Sequence, residues 1–184
     1  PQNSYLTCKI FDVEAPIAGQ GISAGGYDLA IAANVLHATR NIRQTLRNAK
    51  ATLKKNGLIL LNELSGNYLF SHLTFGLLEG WWLYEDTALR IPGCPGLNPQ
   101  TWRVVLEGEG FLSVFYPALE AHDLGQQVIA TVSDGVIRQK RQVKAGASTA
   151  KRRVNTKALK KQPSKQTPAI SSSTVGNTGS LSDK

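Results

Sequence analysis

The apolar and polar positions of the first 140 residues alternate between strand-like runs and helix-like spacing. Residues 5–11 predict a strand that ends at Asp12, and residues 27–35 form a nearly continuous apolar run of strand length. A run that is apolar on both faces is typical of a parallel sheet that is buried on both sides. We therefore expect a buried parallel sheet in this part of the chain.

A helix and a further strand follow the second run. Four apolar residues share one helical face, namely Ile42, Leu46, Ala49 and Leu53. Asn41 is the predicted N-cap of this helix, and Lys54, Lys55 and Gly57 mark its end. Residues 58–64 predict another buried strand. Strand, helix and strand with short connections make a βαβ unit.

The next segments predict two more helices and a hairpin. Residues 73–82 predict a helix, residues 91–99 a loop rich in Pro and Gly, and Pro99 the start of a second helix. Residues 113–116 and 127–132 predict two strands whose connection is too short for a parallel crossover. The predicted fold class is α/β, a mostly parallel sheet with a C-terminal antiparallel hairpin.

Charge divides the 184 residues into two parts. The net charge is +8, but residues 1–140 hold eleven Lys and Arg against twelve Asp and Glu, whereas residues 141–184 hold ten against one. Because this tail has no Phe, Trp or Tyr and is rich in Ser, Thr, Lys and Gly, we interpret it as a basic flexible linker. A nucleic-acid patch is the alternative, which the missing aromatic side chains disfavour.

Cysteine usage and hydropathy limit the compartment. Cys8 and Cys94 lie far apart without a CxxC or Cys/His spacing, which argues against a disulfide scaffold or a metal centre and favours the reducing cytosol. No apolar run approaches the roughly 18 residues of a membrane span, and the N-terminus does not have the order of a signal peptide. We expect a cytoplasmic protein that binds neither metal nor membrane.

Polar residues occur where the predicted strands end, which is where ligands bind in open α/β sheets. Asp12 follows the first run, Asn34 to His37 close the second, and Glu63 lies near the end of the third. If the second and third strands are neighbours about 4.8 Å apart, His37 and Glu63 could touch. A carboxylate that holds one imidazole nitrogen leaves the other free to accept a proton. The alternative is a capping histidine and an unrelated surface glutamate.

Three segments of the chain resemble the C-methyltransferase domain of modular polyketide synthases. They are YDLAIAANVLHAT, IRQTLRNAKATLKKNGLILLNEL and LTFGLLEGWWLYED, and the resemblance runs over about residues 5–140. It implies a class I methyltransferase fold and methyl transfer from S-adenosylmethionine to the α-carbon of a β-ketoacyl thioester on an acyl carrier protein, among neighbouring synthase domains. In this family the His of NVLHAT is the base and the Glu after the next strand is its partner, here His37 and Glu63. An imidazole titrates near pH 6.5 and suits this role at cytosolic pH.

The resemblance also implies a cofactor site and an acyl pocket. Asp12 matches the residue that accepts a hydrogen bond from the adenine amino group, and Val13 would pack against the ring; a strand-end cap is the alternative for Asp12. Asn34 and Val35 would pass the methionine part of the cofactor. Four aromatic side chains would either line the acyl pocket or belong to the core, namely Phe75, Trp81, Trp82 and Tyr84.

One departure from the family limits these expectations. The Gly-rich turn after the family's first strand and the ribose-binding acidic residue after its second have no counterpart in this sequence. We therefore expect residues 1–140 to form the C-terminal half of such a domain, and the isolated chain to be inactive. A non-catalytic remnant within a megasynthase, and an O-methyltransferase that uses the same base, are the alternatives.

Overall fold

Residues 3–139, which the computed structural model describes, form a mixed sheet of four strands. Strand β1 is Tyr27–Ala33, β2 is Leu53–Leu64, β3 is Phe111–Phe115 and β4 is Gln126–Ser133. Their order across the sheet is β1-β2-β4-β3, with β1 parallel to β2, and β4 antiparallel to both β2 and β3. The predicted α/β class and the antiparallel C-terminal hairpin are confirmed.

Three α-helices in the described residues connect these strands. Helix α1, Ile42–Thr52, joins β1 to β2; α2 is the short Leu69–Thr74; α3, Pro99–Gly108, precedes β3. Asn41 and Asn98 cap α1 and α3, because each side-chain oxygen accepts a hydrogen bond from the backbone N–H three residues further on, at 3.0 and 2.8 Å. The βαβ unit and the helix beginning at Pro99 are therefore confirmed.

The main core lies between the sheet and the helices α1 and α3. Its fully buried members include Ile42 and Leu46 of α1, Trp102 and Val105 of α3, Leu61 of β2 and Ile129 of β4. Side chains alternate along β4, so that every second residue is buried against this layer. This packing holds the carboxyl ends of β1 and β2, where the functional site lies.

Two expectations about the first strands are wrong. Residues 5–11 form no strand, and Ile10 is 94% exposed, since among the described residues no strand pairs with this segment. Strand β1 is not buried on both faces either, because Leu29 and Ile31 are 47% and 67% exposed. Within residues 3–139 this side of β1 borders a cavity and is only partly covered.

Two predicted helix boundaries also need correction. Helix α1 ends at Thr52, because Leu53 already pairs with Tyr27 in the parallel ladder, and Lys54 and Lys55 therefore lie in β2. The helix predicted for residues 73–82 is interrupted: α2 is followed by two 3₁₀ turns, Phe75–Leu77 and Glu79–Trp82. Gly76 and Gly80 lie in these turns, and glycine is a poor residue for a helix interior.

The predicted basic linker, residues 141–184, lies outside the described residues. So does the alternative nucleic-acid patch within it. Among residues 3–139, no helix is long and apolar enough to cross a bilayer.

Candidate functional site

A histidine and a glutamate meet at the carboxyl ends of β1 and β2. Ala33, the last residue of β1, pairs with Asn62, so Glu63 lies beside the chain that leaves β1. Asn34 then adopts a left-handed conformation, with φ of 52°, and its N–H donates to the carbonyl of Asn62 at 2.7 Å. This turn leads into the 3₁₀ helix Leu36–Ala38 and directs His37 back toward Glu63.

The Nδ1 atom of His37 and the Oε2 atom of Glu63 form a hydrogen bond in the interior of the protein. The two residues are 4% and 0% exposed. The second ring nitrogen of His37, Nε2, has no hydrogen-bond partner among the described residues. Because a carboxylate accepts only, it fixes a proton on Nδ1 and leaves Nε2 as the acceptor.

Backbone groups compensate the burial of Glu63. Its Oε1 atom accepts a hydrogen bond from the N–H of Leu36 at 2.9 Å, and its Oε2 atom accepts a longer one from the N–H of His37 at 3.4 Å. Buried carboxylates are tolerated only with such partners. The same bonds fix the carboxylate in the plane from which it orients the imidazole.

An apolar cavity of about 350 Å³ lies beside this dyad. Besides His37, its walls contain Phe70, Phe75 and Trp81. The Trp81 ring stands edge-on to the His37 ring at 6.1 Å between centroids and stacks on Phe75 at 6.2 Å. A base at the wall of an apolar cavity is suited to proton transfer from a largely hydrophobic substrate.

Sequence reasoning missed two polar contributors to this region. Gln126 lines the cavity, because the antiparallel register of β4 places it opposite Leu64. Arg90 donates a hydrogen bond to the backbone carbonyl of His37 at 2.8 Å. Neither residue carries a local sequence signal, since both reach the site through long-range pairing.

Three of the four residues predicted to hold a cofactor are divided between two cavities, and the fourth, Asp12, lines neither. Val13 and Val35 line a second apolar cavity, of about 370 Å³, which residues of β1 and Phe11 also line. Asn34 lines the cavity of His37 instead. Asp12 is exposed, and its Oδ1 atom accepts a hydrogen bond from the N–H of Glu14 at 2.9 Å, while its side chain lines neither cavity. The cofactor role of these residues stays a prediction.

The predicted acyl pocket is also only partly assembled. Phe75 and Trp81 line the cavity of His37, whereas Trp82 and Tyr84 do not. The Trp82 indole donates to the carbonyl of Gly76 at 2.9 Å, and Tyr84 packs its ring face against the guanidinium of Arg90. Trp82 directly follows Trp81 in the 3₁₀ turn Glu79–Trp82, so the two side chains lie on different sides of the chain, and Tyr84 lies beyond the end of that turn.

The remaining chemistry-bearing residues do not extend the site. Within residues 3–139, no cluster of three or more His, Cys, Asp or Glu is arranged to hold a metal ion. Both cysteines are free thiols, Cys8 exposed and Cys94 buried, and burial raises the pKa of the Cys94 thiol.

Known proteins share both the sequence and the fold of this chain, although no protein-family model matches it. The chain is 68% identical to polyketide synthase PksR of Bacillus subtilis (strain 168) over 145 residues. This aligned stretch covers 79% of this chain and 6% of PksR. The crystal structure of DszA carbon methyltransferase matches with a TM-score of 0.66 and 42% identity, over 72% of this chain and 34% of that one. The crystal structure of trans-methyltransferase CalH in complex with SAH matches with a TM-score of 0.56 and 31% identity, over 67% of this chain and 35% of that one.

These similarities define the described residues as part of a methyltransferase fold of the α/β class. More specifically, the chain belongs to the C-methyltransferase domains of polyketide synthases, as the NVLHAT and LLEGWW segments predict. It spans about a third of the length of the solved methyltransferases, 34% and 35% of the two chains described above.

Proposed function

We propose that this chain provides the catalytic base and the acyl pocket of a carbon methyltransferase. The reaction transfers a methyl group from S-adenosylmethionine to the α-carbon of a β-ketoacyl thioester carried by an acyl carrier protein. The buried contact between His37 and Glu63 at the wall of an apolar cavity is the observation that carries this proposal. The names of PksR and of DszA carbon methyltransferase support the same reaction class.

Proton removal from the substrate is the task assigned to His37. The α-carbon lies between a ketone and a thioester, so its C–H bond can break with the electron pair passing to the β-keto oxygen. The proton forms an N–H bond at Nε2 of His37, and the negative charge of Glu63 stabilises the imidazolium that results. The product of this step is an enolate whose α-carbon is nucleophilic.

The cavity that contains Val13 and Val35 is suited to the adenine ring of the cofactor and not to its charged methionine part. Its aliphatic and aromatic lining, which includes Phe11, suits a flat purine ring. Asp12 precedes Val13 directly, and its exposed carboxylate is the group that would accept a hydrogen bond from the adenine amino group. When bound, S-adenosylmethionine supplies an electrophilic methyl group. Asn34 and Val35 lie between the two cavities, where donor and acceptor must approach each other.

The partners and the compartment follow from the same proposal. An acyl carrier protein delivers the β-ketoacyl chain, and neighbouring domains of a multidomain synthase supply and consume it, as the share of PksR that the chain covers suggests. We place the reaction in the cytoplasm, where the free thiols of Cys8 and Cys94 would stay reduced.

Replacement of His37 tests the proposal in the polypeptide in which this chain naturally occurs. We expect His37→Ala and His37→Asn to abolish methylation of a β-ketoacyl carrier while the affinity for S-adenosylmethionine, measured by calorimetry, stays within a few fold. Asn keeps a donor for Glu63 and cannot act as the base, so it separates loss of chemistry from loss of folding. Retained turnover in both variants would refute the catalytic assignment.

A matched histidine serves as the control. His122 packs against Tyr116 and does not line the cavity of His37, so His122→Asn should keep turnover. Substrate and S-adenosylmethionine that carry ¹³C at the α-carbon and at the methyl group distinguish carbon from oxygen methylation, because only carbon methylation joins the two labelled atoms, which ¹³C NMR of the product detects as a one-bond coupling. A product whose new methyl group is bonded to oxygen, with no coupling to the labelled α-carbon, would favour an O-methyltransferase.

A further inference from the structure

Arg90 holds the segment that carries His37. Its Nη1 atom donates to the carbonyl oxygens of His37 and Pro95, each at 2.8 Å, and its Nη2 atom donates to the carbonyl oxygen of Thr39 at 2.9 Å. Arg90 is only 7% exposed. One guanidinium therefore binds the carbonyl of His37, inside the short 3₁₀ turn that places the imidazole, and the carbonyl of Thr39, directly after that turn.

Asp86 links Arg90 to the start of helix α1 through two hydrogen bonds. Its Oδ1 atom accepts a hydrogen bond from Nε of Arg90 at 2.5 Å, and its Oδ2 atom accepts one from the N–H of Ile42 at 2.7 Å. The charged pair thus bonds both ends of residues 37–42. Tyr84 covers the face of the guanidinium, with 5.7 Å between its ring centroid and the Cζ atom of Arg90.

The segment needs such support because it has little stability of its own. Leu36–Ala38 is a 3₁₀ helix of three residues, and Val35 before it offers no side-chain cap. The hydroxyl of Thr39 donates to the carbonyl of Leu36 at 2.7 Å, and Glu63 accepts from the N–H groups of Leu36 and His37. Glu63 fixes the N–H side of the turn, whereas its carbonyl side at His37 and Thr39 is bonded by Arg90.

We propose that Arg90 is a positioning residue for the base, and this inference rests on the proposed function of His37. The guanidinium does not line the cavity, so it acts through the backbone of His37 and not on the substrate. Three carbonyl contacts and one carboxylate contact require the planar fork of arginine. A lysine ammonium at this position could keep the positive charge near Asp86 but could not donate to all of the carbonyls that the guanidinium bonds.

Substitution of Arg90 in the native polypeptide tests this role. We expect Arg90→Ala to lower kcat by about 100-fold, the size of effect that misplacement of a catalytic group by about 1 Å produces. The KM of the acyl substrate and the Kd of S-adenosylmethionine should stay within about threefold, because neither cavity loses a wall. Added guanidinium chloride at low millimolar concentration should restore part of kcat in Arg90→Ala, and an equal concentration of ammonium chloride should not.

The controls separate positioning from general stability and from the proposed function itself. Arg40 is 53% exposed at its side chain and pairs loosely with Glu85 at 3.4 Å, so Arg40→Ala should keep kcat. If circular dichroism shows that Arg90→Ala is unfolded, Arg90→Lys carries the test, and the same loss of kcat is expected. A folded Arg90 variant with kcat within twofold of wild type would overturn the inference while an inactive His37→Asn leaves the proposed function standing. Turnover retained in His37→Asn would overturn both.

Discussion

Glu63 accepts a hydrogen bond from the backbone N–H of Leu36 at 2.9 Å, through the carboxylate oxygen that does not contact the His37 ring. One oxygen therefore bonds the backbone, and the other bonds the imidazole and, at the longer distance of 3.4 Å, the N–H of His37. This arrangement couples the orientation of the base to the path of the chain after β1. It also means that the carboxylate cannot be replaced by a group with one donor and one acceptor without a conflict.

Glu63→Gln is expected to lower turnover by about 10²- to 10⁴-fold in the native polypeptide. If the amide oxygen of the glutamine still accepts the hydrogen bond from the N–H of Leu36, the amide nitrogen faces Nδ1 of His37. The imidazole must then accept at Nδ1 and carry its proton on Nε2, which removes the base. Steady-state kinetics measures the loss, and ¹⁵N NMR of the histidine side chain reports the tautomer.

An exposed glutamate provides the comparison for this substitution. Glu85 is 67% exposed at its side chain, so Glu85→Gln should leave both turnover and the tautomer of His37 unchanged. Turnover of Glu63→Gln within threefold of wild type would show that the carboxylate does not set the state of the base.

Local patterns in the sequence predict much of the fold. The apolar runs of β1 and β2 and the helical spacing between them define the βαβ unit. Asn41 and Pro99 mark where two helices begin, because the signals that start a helix are local. Coverage of the faces of β1 is not local. The exposure of Ile31 depends on which other segments pack there, and its own sequence does not encode that.

The candidate site shows the same division. The contact between His37 and Glu63 is predictable because the ends of adjacent parallel strands meet at one sheet edge. The aromatic stripe is not, since it assumes a continuous helix, and the 3₁₀ turns send Trp82 away from Trp81. The role of Arg90 has no signal in the sequence, because the groups that it bonds at the site are the backbone carbonyls of His37 and Thr39, about 50 residues earlier in the chain.

A buried ion pair predicts a specific response to acid. Lys50 is 1% exposed, and its Nζ atom bonds Oδ1 of Asp134 at 2.8 Å, with Arg138 contacting the other oxygen at 3.1 Å. Partial burial opposes ionisation of Asp134 and is the largest single effect on its pKa. The hydrogen bonds from Lys50 and from the N–H of Val136, together with the charges of Lys50 and Arg138, outweigh it and lower the pKa below the usual 3.8. Because the folded state holds this carboxylate ionised more strongly than the unfolded chain, its contribution to stability is complete above that value and fades as pH falls below it.

Asp134→Asn should therefore reduce the free energy of unfolding by about 1 to 3 kcal/mol at pH 7. The difference from wild type should shrink below pH 4 and vanish once the folded-state carboxyl is also protonated. Thermal or urea unfolding at pH 7 and at pH 2 to 4 measures both. Asp28→Asn is the control, because Asp28 and Lys54 are 81% and 49% exposed and such a pair contributes little. A difference between Asp134→Asn and wild type that persists unchanged at the lowest pH would contradict the assignment.

The exposed side of β1 bears on what the 184-residue chain can do alone. Leu29 and Ile31 are large, apolar and exposed on the strand that precedes the site, and the adjoining cavity contains Val13 and Val35. The side chains that line this cavity are apolar apart from the hydroxyl groups of Tyr27 and Thr52, and none of them is charged. Tight binding of a zwitterionic, cationic cofactor needs several convergent polar groups, which this surface does not provide.

We therefore expect the isolated chain neither to bind S-adenosylmethionine with micromolar affinity nor to methylate a β-ketoacyl carrier. Isothermal titration calorimetry with the cofactor up to millimolar concentration should detect no saturable heat. Ile31→Lys provides the matched variant, because it removes apolar surface and should reduce any self-association seen in analytical ultracentrifugation without creating cofactor binding. Leu124→Lys, at an equally exposed site outside β1, should leave self-association unchanged. Micromolar binding by the wild-type chain would show that residues 1–184 hold a sufficient cofactor site by themselves.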